Sequence, residues 1–221
     1  MSIRRSGGVT LIELVIVLAV VSALVATATF GISDWAENQR VKSGARSVAD
    51  AFMLTRGEAI RTGNNHIVVF GVSALANADS DIVIVDDDEP DDADCSIDTS
   101  EIVHRVNFDA GIIWGTSDHL ADTTVAPGDP GIATGNVENG TSFTTAALDA
   151  NTPASWVLFQ PDGIPRLFTT SGSACTAIGQ SGEGGGAIYV TNGSRDYAVV
   201  LSPLGTVRVL GWIPSTASWM N

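Results

Sequence analysis

The sequence predicts an α+β protein: one long N-terminal helix joined directly to an antiparallel, β-rich globular body. Three observations carry this. Val9 to Ile32 is an apolar run with one ionisable residue, Glu13; Val41, Val48, Phe52 and Ala59 then recur at helical spacing; and beyond Asn65 the chain breaks into short apolar segments punctuated by Gly, Pro, Asn and Asp.

As a helix, 9–32 is about 36 Å long at 1.5 Å per residue, enough for a hydrocarbon core of roughly 30 Å. A charge at the centre of such a span costs about 2.5–3.5 kcal/mol, so Glu13 calls for a partner. Arg4 and Arg5 precede the run and a strongly acidic body follows it. The positive-inside tendency therefore puts the N-terminus in the cytoplasm and the body across the membrane. In an ordinary secretory signal, small residues follow the apolar core; here Gly7 and Gly8 precede it. Cleavage there removes the basic leader and leaves the helix on the mature chain.

The helical pattern carries on from Val41, with Ala45 and Ala49 beside the stripe, and stops at Gly63-Asn64. A helix from about Thr10 to Thr62 is roughly 80 Å long, half of it in a membrane or filament core and half packed on the body. Gly31 is its weak point. The expected strands are HIVVFGV, DIVIVD, EIVHRVNF, GIIWG, SWVLFQ, PRLFT, AIYVTN, YAVVLS and TVRVLGWI, with turns at Asn192-Gly193 and Pro203-Leu204-Gly205. Residues 116–152 read as a long excursion with at most one short strand.

The formal net charge of −14, from 25 acidic and 11 basic residues, argues against nucleic acid, whose binding rests on clustered Lys and Arg. Cys95 and Cys175 show no zinc or redox spacing. They form one structural disulfide if the body lies in an oxidising compartment, or stay as two buried thiols.

Asp86 to Asp94 packs seven carboxylates into nine positions. It reads as a solvated loop between strands; calcium is the sharper alternative, with Asp86, Asp88 and Asp92 as ligands, although the EF-hand register is missing. His66, His104 and His119 are too scattered for a ligand set. Ser181–Gly186 lacks the Lys-Ser/Thr of a phosphate loop and reads as a flexible loop, and Ser173 has no GxSxG frame. Trp212 and Trp219 read as packing residues. No enzyme and no required cofactor is expected.

Gly8-Val9-Thr10-Leu11-Ile12-Glu13 resembles the class III signal of type IV pilins and type II secretion pseudopilins. The resemblance implies cleavage between Gly8 and Val9 by a prepilin peptidase, methylation of the Val9 amine, and contact of Glu13 with a neighbouring subunit's N-terminal amine. It divides the chain into a leader at 1–8, a helix at 9–62 with 9–32 in membrane or filament core, and a periplasmic β-rich domain at 63–221, the pilin fold.

Arg56, Glu58 and Ala59 in VADAFMLTRGEAIRTGN, Phe159, Pro161 and Gly163 in WVLFQPDGIPRLF, and Gly205 and Arg208 in YAVVLSPLGTVRVLGW resemble the GspH/FimT branch. That implies a minor subunit near a filament tip that helps initiate assembly, partnered by other pilins, the peptidase and an inner-membrane assembly platform. Some FimT-like members bind DNA through a basic C-terminus, but WIPSTASWMN carries no basic residue. The rival from another class is a membrane-anchored periplasmic binding module on an uncleaved anchor, with calcium dependence as its sharper form.

Overall fold

The computed structural model describes residues 9–71, 80–87, 95, 99–117, 120, 124–131, 137, 139–145, 152–170 and 175–220, with the side chains of 27–34, 99, 170 and 175–177 outside the description. Helix α1 runs from Leu11 to Thr62 without interruption at Gly31. Gly63 ends it: at φ +81° its N–H still reaches the Ala59 carbonyl at 3.1 Å, a left-handed stop that suits glycine.

The chain divides into two compact units, 1–39 and 40–221. In the first, residues 11–26 of α1 are exposed on every side, from Leu11 at 82% to Val21 at 48%, and apolar but for Glu13 and Ser22. A helix apolar all round ordinarily lies inside a protein core or a membrane. Among the described residues no helix is long and apolar enough to cross a membrane. The described side chains of the apolar run stop at Ala26, and 27–32, which complete it in the sequence, lie in α1 with their side chains outside the description.

The second unit holds twelve strands among the described residues. One sheet comprises β1 (Asn65–Phe70), β2 (Ile82–Asp87), β3 (Ile102–Val106), β5 (Trp156–Phe159) and β6 (Pro165–Arg166), in the order β3-β2-β1-β5-β6. The other comprises β4 (Ile113–Trp114), β9 (Gly186–Thr191), β10 (Asp196–Leu201), β11 (Val207–Ile213) and β12 (Ser218–Met220), in the order β12-β11-β10-β9-β4. β7 (Phe168–Thr170) and β8 (Cys175–Ile178) form a separate pair. Every pairing is antiparallel.

The main core is shared by the inner stripe of α1 and one face of each large sheet. Val41, Ala45, Val48, Phe52 and Ala59 meet Val68, Phe70, Ile82, Ile84, Val157 and Phe159 of one sheet and Ile188, Val190, Val199 and Leu201 of the other. Phe52 is fully buried, its ring 6.2 to 6.5 Å from those of Phe70, Phe143 and Phe159.

The alternate strand residues are buried as well. Ile67, Val69, Val83, Val85 and Leu158 pack with Cys95 and Phe168; Ala187, Tyr189, Ala198, Val200 and Leu210 pack with Ala126 and Val137. Both faces being covered, these strands read as unbroken apolar runs instead of alternating ones.

A polar network fastens the 124–131 segment to the second sheet. Tyr189 Oη donates to Asp129 Oδ2 at 2.8 Å and accepts from the Ala126 N–H at 3.0 Å. Asp129 Oδ1 accepts from Gly131 N–H and Ser142 Oγ at 2.8 and 2.7 Å. Burial, and then the adjacent Asp129 charge, push the Tyr189 phenol well above its ordinary value, so it remains a neutral donor. Tyr189→Phe leaves one Asp129 oxygen and the Ala126 N–H without this partner. It should lower unfolding free energy by about 1–3 kcal/mol in a denaturant titration, and an unchanged midpoint would contradict this role.

Four sequence expectations change. PRLFT is two strands, because Pro165–Arg166 pairs with β5 whereas Phe168–Thr170 turns to β8. β8 and β12 join the expected set. The glycine stretch is packed, not free: Gly184, Gly185 and Gly186 are buried, and a Cβ at these positions would collide with the Pro165 backbone, the Pro130 and Pro203 rings, and Phe143 respectively. The strand expected to end at Asp86 runs one residue further, which takes Asp87 out of the acidic loop and into β2.

Candidate functional site

Gly8 lies outside the described residues; Val9 is 73% exposed and Thr10 is exposed too. Thr10 stands just before the first helical residue, and Glu13 is the third residue of α1. The Glu13 N–H donates to Thr10 Oγ1 at 3.3 Å, and the Thr10 N–H donates to Glu13 Oε2 at 3.4 Å. This reciprocal pair is a capping box, which satisfies two backbone donors that a helix start otherwise leaves open. The carboxylate also sits where the positive end of the helix dipole favours it.

Glu13 therefore has a role within its own chain that the cost of an apolar-phase charge does not reveal. The signal was legible as Thr-x-x-Glu ahead of an apolar run. Its consequence is positional: the box holds the carboxylate at the first turn, against the Thr10 N–H.

The second set of motif residues converges in the body. Arg56 Nη1 donates to the Gly205 carbonyl at 3.1 Å. Gly205 and Gly163 have φ of +82° and +73°, and a Cβ on Gly205 would lie 3.1 Å from the Gly163 carbonyl oxygen. Helix, Gln160–Gly163 turn and Ser202–Gly205 turn thus meet at one junction. Ala59 and Phe159 lie in the main core beneath it. Arg208 lies apart from it, its Nη2 donating to the Pro127 carbonyl at 2.9 Å. Glu58 accepts from Arg61 Nε at 2.9 Å, which holds its carboxyl below the usual range.

Asp86, taken from the sequence as a calcium ligand, accepts from Asn64 Nδ2 at 3.2 Å and lies 3.5 Å from the buried His66 Nε2. Asp88 and Asp92 lie outside the described residues, as do His119 and Ser173. His104 is exposed on β3, opposite Ile84. Among the described residues no group of three or more His, Cys, Asp or Glu could hold a metal ion.

Cys95 is fully buried at φ +50° and is not a free thiol. Cys175 opens β8, with its side chain outside the description. Trp212 and Trp219 are cross-strand partners with ring centroids 5.4 Å apart, and Trp219 also packs on Tyr189, so both serve as packing.

The fold is α+β, a long helix with an antiparallel β head, consistent with the pilin architecture. Residues 3–29 match the family model described as the prokaryotic N-terminal methylation motif. The match covers the basic start, the Gly8–Val9 bond, Thr10, Glu13 and most of the apolar run, and it marks the N-terminus as a type IV pilin-like prepilin signal, the kind of sequence a prepilin peptidase processes. No curated protein and no solved structure matches the chain.

Proposed function

We propose that the chain is a minor pilin or pseudopilin of the GspH/FimT type, a structural subunit near the tip of a type IV pilus or type II secretion pseudopilus that helps to initiate the filament. Cleavage falls between Gly8 and Val9, and the Val9 amine is methylated. Before assembly the subunit waits in the inner membrane, spanning it once through 9–32, with the N-terminus cytoplasmic and the body periplasmic. It has no catalytic role and takes no cofactor.

The observation that carries this reading is the methylation motif at 3–29 with a helix that is apolar and uncovered on every side over residues 11–26. Such a surface needs cover from outside the chain, and lipid before assembly and neighbouring helices after it provide that cover. The junction of Arg56, Gly163 and Gly205 supports the GspH/FimT branch by gathering three of its motif residues. In-cell crosslinking from native membranes, followed by mass spectrometry of the partners, tests the role. A major pilin or pseudopilin as partner is expected and names the machine; no filament subunit among the partners would instead favour the anchored binding module.

The oxidising periplasm goes with a Cys95–Cys175 bridge between the buried Cys95 and the β7–β8 pair that packs on its cluster. A bond closing so long a loop contributes up to about 4–5 kcal/mol in the chain-entropy model, equivalent to roughly 8–20 °C in melting temperature for a domain of this size. Reductant should lower the melting temperature of the full chain in detergent; identical curves with and without it would show that no such bond supports the fold.

A further inference from the structure

On the 40–62 part of α1, along the flank of the buried stripe, Arg46, Met53, Gly57 and Ile60 follow one another at steps of seven, four and three, Ile60 bordering the Gly163 turn. All four are exposed, Met53 and Ile60 to 55% each. Gly57 is the informative member. Glycine is the poorest helix former after proline, yet a Cβ here would meet nothing within 4 Å and φ is not positive, so nothing in the described chain requires it. A notch that the chain itself does not use suits the close approach of another helix. Arg46 makes no ion pair or hydrogen bond among the described residues, not even with Asp50 one turn on.

We infer that this stripe seats the N-terminal helix of a neighbouring pilin-type subunit, with a carboxylate placed like Glu13 beside Arg46. The inference rests on the pilin reading above. Charge order selects the occupant: the stripe runs cation, apolar, notch, apolar, and the first half of α1 runs Glu13, Val20, Leu24 in the same direction. Setting Glu13 of a parallel neighbour beside Arg46 puts its Val20 against Met53 and its Leu24 against Gly57, a shift of about 50 Å along the helix. Subunits drawn from one membrane share an orientation, so the parallel arrangement is the available one.

A photoreactive benzophenone amino acid placed at Met53, and separately at Ile60, tests this in the full chain in cells. The expected adduct is a peptide from the apolar N-terminal helix of a pilin-type subunit, one to four turns beyond its carboxylate. Gly57→Leu should reduce recovery in filaments at least about fivefold, the equivalent of one disturbed contact, with leader removal and melting temperature as in the unmodified chain. Adducts only with lipid or with a globular surface, or undiminished recovery of Gly57→Leu, would overturn the inference while leaving the pilin reading intact. An unmodified chain that keeps its leader, or is missing from filaments, would sink both.

Discussion

Phe52→Ala is expected to destabilise the body by about 3–5 kcal/mol, a large part of the 5–15 kcal/mol that holds a typical domain folded. The cost comes from lost transfer energy plus a void the neighbours cannot close. Phe70, Phe143 and Phe159 each contact the Phe52 ring from a different element, and their own backbones are fixed in or beside paired strands. Phe52 also sits where α1 meets both sheets, so the substitution loosens the helix from the head as a unit. Chemical denaturation of the full chain in detergent measures it. A change below about 1 kcal/mol would mean that the core collapses around the gap and that the ring is not its centre.

Glu13→Val is expected to leave membrane insertion intact and reduce incorporation into filaments at least about tenfold. Valine makes the run more apolar, so insertion has no reason to fail. Two things are lost together: the cap on Thr10 and, under the proposed filament role, the charge offered to a neighbour. Glu13→Gln separates them, because glutamine serves in a capping box without carrying charge. Failure of both variants assigns the effect to the charge, whose partner in an apolar setting would be left unpaired. Failure of Val alone assigns it to the cap. Normal incorporation of both variants would remove assembly from the account of Glu13.

The helix and the large sheets were legible because their signals are local. Val41, Val48, Phe52 and Ala59 mark one face by spacing alone, and Gly63 supplies a left-handed stop that few other residues tolerate. The nine expected strand segments all hold strands, and the turns at Asn192-Gly193 and Pro203–Gly205 join β9 to β10 and β10 to β11. What the sequence hid depends on distant partners. CTAI becomes β8 through pairing with Phe168–Thr170, and SWM becomes β12 through Trp212. The closeness of Gly184 to the Pro165 backbone is likewise set by the fold.

The candidate site divides in the same way. Gly8, Val9 and Glu13 stand out by residue type and order, whereas the contact of Arg56 with Gly205 joins residues 149 positions apart. The expected strand DIVIVD already held Asp86, and the register extends it by one residue to Asp87, an end that pairing with Asn65 sets.

The most direct measurement is the mass of the N-terminal peptide of the protein isolated from its native membrane. The account predicts a chain that begins at Val9 with a methylated amine. A chain that still begins at Met1, or that is cut after the apolar run, would contradict it, since α1 would then carry its basic leader or lack the helix that assembly requires.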